Sequence, residues 1–141
     1  IANGRLHEVL PHLDLFVLNE GEARELAGTS NLIKAGRLLL EKGPRHVVVK
    51  LGEFGAILFS AGEDSGVELF RASAWPLEAV ADPTGAGDTF CGAFAAAIAE
   101  GTEHEAALRF AVVAASLSVE TPGAVPSIPH RAAIDARLDK K

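Results

Sequence analysis

The sequence predicts an α/β layered fold with a largely parallel sheet and one hairpin region. Three observations carry this. Apolar runs at 13–18 and 46–51 have the length and composition of buried strands. Segments of helical spacing at 22–27 and 31–42 lie between them. Two further strand-like runs, at 56–60 and 67–71, follow across glycine-bearing turns too short to hold a helix. Helical crossovers imply parallel neighbours, and a tight turn implies a hairpin.

Taken in order, residues 7–12 read as the end of a helix and a turn, broken by Pro11. The run at 13–18 is mainly apolar and bounded by polar residues. Asn19-Glu-Gly-Glu22 comes directly after it, and the short helix over 22–27 stops at Gly28. Leu32, Ala35, Leu38 and Leu39 give 31–42 one apolar face, ended by Gly43-Pro44. Strand 46–51, turn 52–55, strand 56–60, turn 62–66 and an edge-like strand 67–71 follow. Trp75-Pro76 opens a loop, and 79–81 reads as a short strand. A helix is expected over 88–100, apolar on every face through 90–99, and therefore buried against a sheet. Thr102-Glu-His-Glu105 has the spacing of a capping box for a helix reaching about 119. A proline-containing loop at 120–129, a closing helix at 132–138 and a fraying end at 139–141 complete the chain.

The 141 residues suffice for one compact domain, and 48% are hydrophobic. The net charge of −6, with acids scattered among bases, argues against a nucleic-acid groove or an anionic membrane surface. The one cysteine, Cys91, allows no disulfide within the chain and reads as a small buried hydrophobe. No apolar run has the length of a membrane span, and the polar start Ile1-Ala-Asn-Gly-Arg5 is unlike a signal peptide. The composition fits a cytoplasmic protein acting on small molecules.

The chemistry concentrates in Asp82-Pro-Thr-Gly-Ala-Gly-Asp-Thr-Phe-Cys-Gly-Ala-Phe94. Gly85 and Gly87 permit a tight bend into a helix. The backbone N–H groups of Gly85, Ala86, Gly87 and Asp88 would then sit free at a helix N-terminus, a site for an anion such as phosphate. Asp88 puts a carboxylate into the same place, which suits phosphoryl transfer if it accepts a hydroxyl proton. The same residues also fit an aspartate N-cap after a glycine-rich turn, and spacing leaves both readings open. Phe90 stands where a dinucleotide fingerprint needs its third glycine, and no Gly-Lys-Ser/Thr occurs.

Asn19 and Glu22 lie where a parallel strand ends, the usual place for ligands in open α/β sheets. They also have capping-box spacing. Residues 50–55 read equally as an ordinary hairpin turn.

The stretch at 82–94 resembles the C-terminal signature of the PfkB (ribokinase-like) carbohydrate and nucleoside kinase family. Asn19-x-x-Glu22 with the following Ala-x-x-Leu-x-Gly is similar to a second motif of that family, and Lys50-Leu-Gly-x-x-Gly55 to its nucleotide-binding turn. The resemblance implies a ribokinase-like fold and ATP-dependent transfer of the γ-phosphate to an alcohol group of a sugar or nucleoside. It implies Asp88 as the catalytic base, with Gly85, Ala86 and Gly87 in the anion hole. It places Asn19, Lys50, Leu51, Gly52, Glu53, Phe54 and Gly55 at ATP, with Glu22 ordering water-bound Mg²⁺, an ion that keeps much of its hydration. Val112 stands near the adenine where many relatives carry Asn, so nucleotide preference is open. A monovalent cation, K⁺, is implied at Asp82, Thr84, Ser118, Thr121, Gly123 and Ser127.

Family members are considerably longer. The resemblance therefore implies that 1–141 is the ATP-binding, catalytic-base part of a kinase domain, without the N-terminal substrate and lid half. The expected partners are ATP, a small sugar or nucleoside and a further copy of the chain, with no nucleic acid or membrane. The alternative reading is a truncated, non-catalytic nucleotide- or anion-binding module.

Overall fold

The computed structural model describes residues 4–140. They form two compact units. One holds the chain up to Gly52 and again Ala56–Arg71; the other holds Glu53–Gly55 and the chain from Ala72 onward.

The first unit opens with a helical turn α1 (Leu6–Val9) and a 3₁₀ turn (Leu10–His12) that carries Pro11. Strand β1 (Leu15–Asn19) runs into helix α2 (Glu20–Ala27), which Gly28 ends in the left-handed conformation at φ 69°. Helix α3 (Leu32–Glu41) starts where the Asn31 side chain accepts the Lys34 N–H at 3.0 Å. Strands β2 (His46–Lys50), β3 (Ala56–Ala61) and β4 (Val67–Ala72) complete a four-stranded sheet in the order β1-β2-β3-β4. β1 and β2 are parallel, whereas β2 and β3 are antiparallel. The sheet is thus mixed, and the parallel character expected of most of it is found in the β1–β2 pair. The physical reason is the short 52–55 turn, which can only return the chain antiparallel.

The core of this unit joins Leu18, Ala23, Leu39, Val47, Val49, Ile57 and Phe59. Gly36 of α3 sits against the Phe59 ring so closely that a Cβ there would lie 2.3 Å from Cζ. The helix can approach the sheet this closely because that side chain is missing.

In the second unit, helix α4 (Ala86–Ala99) packs along α5 (His104–Ser118), and α6 (Arg131–Leu138) packs on α5. Phe90 and Phe94 stack with centroids 6.2 Å apart. Ala107, Leu108, Ala111 and Ala114 of α5 are fully buried.

Four expectations are corrected here. Residues 79–81 form no strand; the Ala81 and Asp82 N–H groups both donate to the Val119 carbonyl, at 2.9 and 3.2 Å. The capping box at 102–105 is not made, because α5 begins later, with Glu103 at its N-cap and no side-chain cap bond. Helix α4 is not buried all round: Phe90, Phe94 and Ala97 are buried, while Gly92, Ala95, Ala96 and Ala99 are exposed. Apolar composition shows which faces a helix can bury, and only one face has a partner in this unit. Cys91, on the same helix, is half-buried rather than buried. The fraying expected at 139–141 ends on Lys141, outside the described residues, as does the start of the polar stretch at 1–5.

Candidate active site

The C-terminal ends of the parallel strands gather the candidates of the first unit. Asn19 and Lys50 are register partners on β1 and β2. Beyond Asn19 the chain turns into α2 through a complete capping box. The Asn19 Oδ1 accepts the Glu22 N–H at 2.8 Å, and the Glu22 Oε2 accepts the Asn19 N–H at 2.9 Å. The capping reading of these residues is therefore present in the fold. It also fixes both side chains at the end of β1, where Asn19 pairs with Lys50, and leaves the second Glu22 oxygen for other contacts.

Beyond Lys50 and Leu51 the backbone makes a 3₁₀ turn, Gly52–Phe54. Gly52 has φ 59°, and a Cβ there would meet nothing within 4 Å. Its backbone faces open space, as close approach by a ligand requires. Gly55 differs: its φ is 98°, and a Cβ would lie 2.0 Å from the Ala72 carbonyl oxygen. Glu53 and Phe54 are exposed, Phe54 at 61%.

In the second unit the glycine-rich turn forms the start of α4. Gly85, at φ 83°, is the N-cap, with no side-chain cap bond. Asp88 is thus the third residue of the helix, and the N-cap reading of Asp88 is corrected. Its carboxylate is exposed and has no hydrogen-bond partner among the described residues. The Ala86 N–H donates to the Pro83 carbonyl at 3.2 Å, so it is not free as expected; closing the turn uses it. The N–H groups of Gly85, Gly87 and Asp88 have no acceptor among the described residues. Three free donors at the positive end of a 14-residue helix suit an anion.

Asp82 is tied on both sides. Its Oδ1 accepts the Thr84 N–H at 2.9 Å and its Oδ2 the Gly123 N–H at 2.9 Å. The Thr84 hydroxyl, then the Gly123 and Thr84 N–H groups, hold its carboxyl down to about 2 from the ordinary 3.8. Ser118 and Ser127 are buried, with hydroxyls donating to the Ala115 and Ala124 carbonyls at 2.8 and 3.1 Å. Thr121 is exposed, and Val112 is buried within α5. No backbone N–H among the described residues donates to the carbonyls of Thr84, Ser118, Thr121 or Gly123.

One open groove of about 460 Å³ starts at Gly85 and Asp88. Thr89, Phe110, Val125 and Arg131 also line it. Arg131 was not legible as a site residue. Its guanidinium lies over the Phe110 ring, 5.0 Å from the centroid, and donates to Glu100 at 2.7 Å. The available signal was a cation in the first turn of a helix, where the dipole disfavours it and a local anion is needed.

Residues 2–131 match the profile of the pfkB family carbohydrate kinase. The chain belongs to the pfkB carbohydrate kinase family. Its relatives in this family include ribokinase from Arabidopsis thaliana, 41% identical over 133 residues, which are 91% of this chain and 34% of that protein. The structure of Arabidopsis thaliana ribokinase complexed with ribose and ATP superposes with a TM-score of 0.86 at 40% identity, over 94% of this chain and 43% of that one. An E. coli structure described as a ribokinase II, in complex with ATP and Mg²⁺, gives 0.85 at 33% identity, over 96% and 42%. The chain thus spans less than half the length of these pfkB relatives, and the fold is ribokinase-like α/β. Among the described residues no helix is long and apolar enough to cross a membrane, and no three His, Cys, Asp or Glu side chains group as metal ligands.

Proposed function

We propose that this chain carries the nucleotide-binding and catalytic-base part of an ATP-dependent kinase whose acceptor is an alcohol group of a sugar or nucleoside. The observation that carries the reading is Asp88: an exposed carboxylate without a hydrogen-bond partner among the described residues, placed among free N–H donors at the start of α4. A carboxylate with no structural bond to keep is available to accept a hydroxyl proton. The N–H groups of Gly85, Gly87 and Asp88 stabilise charge on the transferring phosphoryl group, with Ala86 shaping the turn. That relatives include a ribokinase bound to ribose and ATP supports the same reading.

ATP would supply the phosphoryl group, with Mg²⁺ neutralising its phosphate charge. Glu22 fits an outer-shell role, since its capping-box bond engages one oxygen and leaves the other for a metal-bound water. Asn19 and Lys50 are partners on adjacent strands, and the 51–55 turn, open at Gly52, offers its backbone to the nucleotide there. Val112 contributes apolar packing below the base. For K⁺, the free carbonyls of Thr84, Ser118, Thr121 and Gly123, with the Asp82 carboxylate, are hard oxygen donors of the right type; Ser127 closes the same loop. A cytosolic location, where a lone half-buried thiol stays reduced, completes the proposal, together with self-association.

Calorimetry of ATP-Mg²⁺ binding tests the reading, comparing the wild-type chain with Gly87→Val. Binding that is lost in a folded variant supports an anion site built from these donors. Equal binding by both would place the phosphates elsewhere.

A further inference from the structure

We propose that Arg137 is a positioning residue for the phosphate-binding turn, acting through the segment that follows α5. The proposal rests on the site reading above and adds a residue that no motif marks.

Arg137 lies in the last turn of α6. Its side chain is only 17% exposed. One guanidinium nitrogen donates to the Ser116 hydroxyl at 3.1 Å, and the other to Glu120 Oε1 at 2.7 Å. The guanidinium also lies over the Trp75 ring, 5.2 Å from its centroid. A planar fork making two bonds and one face contact is largely fixed in place. Its anchor is firm as well, because Ser116 is buried and its hydroxyl donates to the Val113 carbonyl at 2.6 Å.

Glu120 begins the segment that reaches the site. Thr121, Pro122, Ala124 and Val125 are exposed, Val125 at 76%. Burial does not hold this stretch, so a few polar ties must. On one side Arg137 holds Glu120. On the other, the Gly123 N–H donates to Asp82, and Ala124 sits 3.4 Å from where a Gly85 Cβ would be. Asp82 opens the turn that presents the free N–H groups, and Gly85 is one of their donors. Releasing Glu120 therefore loosens the segment against which that turn is set.

The test uses Arg137→Ala, Arg137→Lys and Glu120→Gln, read by amide hydrogen exchange and by ATP-Mg²⁺ binding. The expected result is exchange at the Gly123 amide faster by about tenfold in Arg137→Ala, the scale of one charge-assisted bond, with the Leu108 amide unchanged. Arg137→Lys, which cannot bridge both partners, should behave like Arg137→Ala rather than rescue it. The ATP dissociation constant should rise in parallel, again by about tenfold. Unchanged Gly123 exchange in a folded variant would overturn the proposal. If Arg137→Ala does not fold, Glu120→Gln decides by the same two readings. A wild-type chain that fails to bind ATP would count against the site reading alone, because the exchange measurement needs no nucleotide.

Discussion

The Asp82 carboxylate accepts the Gly123 N–H at 2.9 Å across 41 residues of sequence, while its other oxygen accepts from Thr84. One acid thereby joins the entry to the glycine-rich turn with the loop after α5. These bonds lower its pKa to about 2 from 3.8. A folded-state value below the unfolded one stabilises the fold fully above pH 3.8, and that contribution is lost as pH falls through about 2. The stability gap between wild type and Asp82→Ala should therefore be constant near neutrality and shrink between those values. Chemical denaturation at a series of pH values measures it, and a gap that widens on acidification would contradict the assignment.

Asp88→Asn should leave folding unchanged, since the carboxylate makes no hydrogen bond among the described residues. In a protein with kinase activity, kcat should fall by about a hundredfold or more, the usual contribution of a general base. Nucleotide affinity should stay within a few-fold. Steady-state kinetics beside calorimetry separate the two, and near-normal kcat would remove Asp88 from the base role.

Asn19→Ala deletes one arm of a capping box and leaves the Glu22 N–H without its acceptor. A loss of about 1 kcal/mol in stability is expected. If Asn19 and Glu22 also organise Mg²⁺ and phosphate, Glu22→Gln should weaken ATP more in the presence of Mg²⁺ than in its absence. Equal weakening in both conditions would leave the pair with a purely structural role.

Gly36→Ala should destabilise the first unit by about 1–3 kcal/mol, as overpacking does. The added methyl would lie 2.3 Å from the Phe59 ring, which is fully buried between helix and sheet. Thermal melting tests this, and the double variant with Phe59→Leu should recover part of the loss.

Local signals were legible wherever chemistry and geometry coincide in neighbouring residues. Gly28 marked a helix end because caps are made within one turn. The hairpin at 52–55 was legible because only an antiparallel return fits so short a link. The strand expected at 79–81 was wrong for the opposite reason. Whether a short run pairs with a strand or with a helix end depends on what lies beside it, and Ala81 and Asp82 bond to Val119, far along the chain. The exposed side of α4 was misread because composition reports what a face could bury, not whether anything covers it.

By itself the sequence determined the order of elements outside 79–81, the glycine-rich turn and the family, since periodicity, caps and a contiguous motif are written in adjacent residues. Only the tertiary structure decided which donors at the turn stay free, that Asp88 caps nothing, and that Asp82, Gly123 and Arg137 share one arrangement. The Ala86–Pro83 bond is local, but the last of these relations joins residues tens of positions apart. Hydrogen bonds between them depend on where helices pack, which no local pattern encodes.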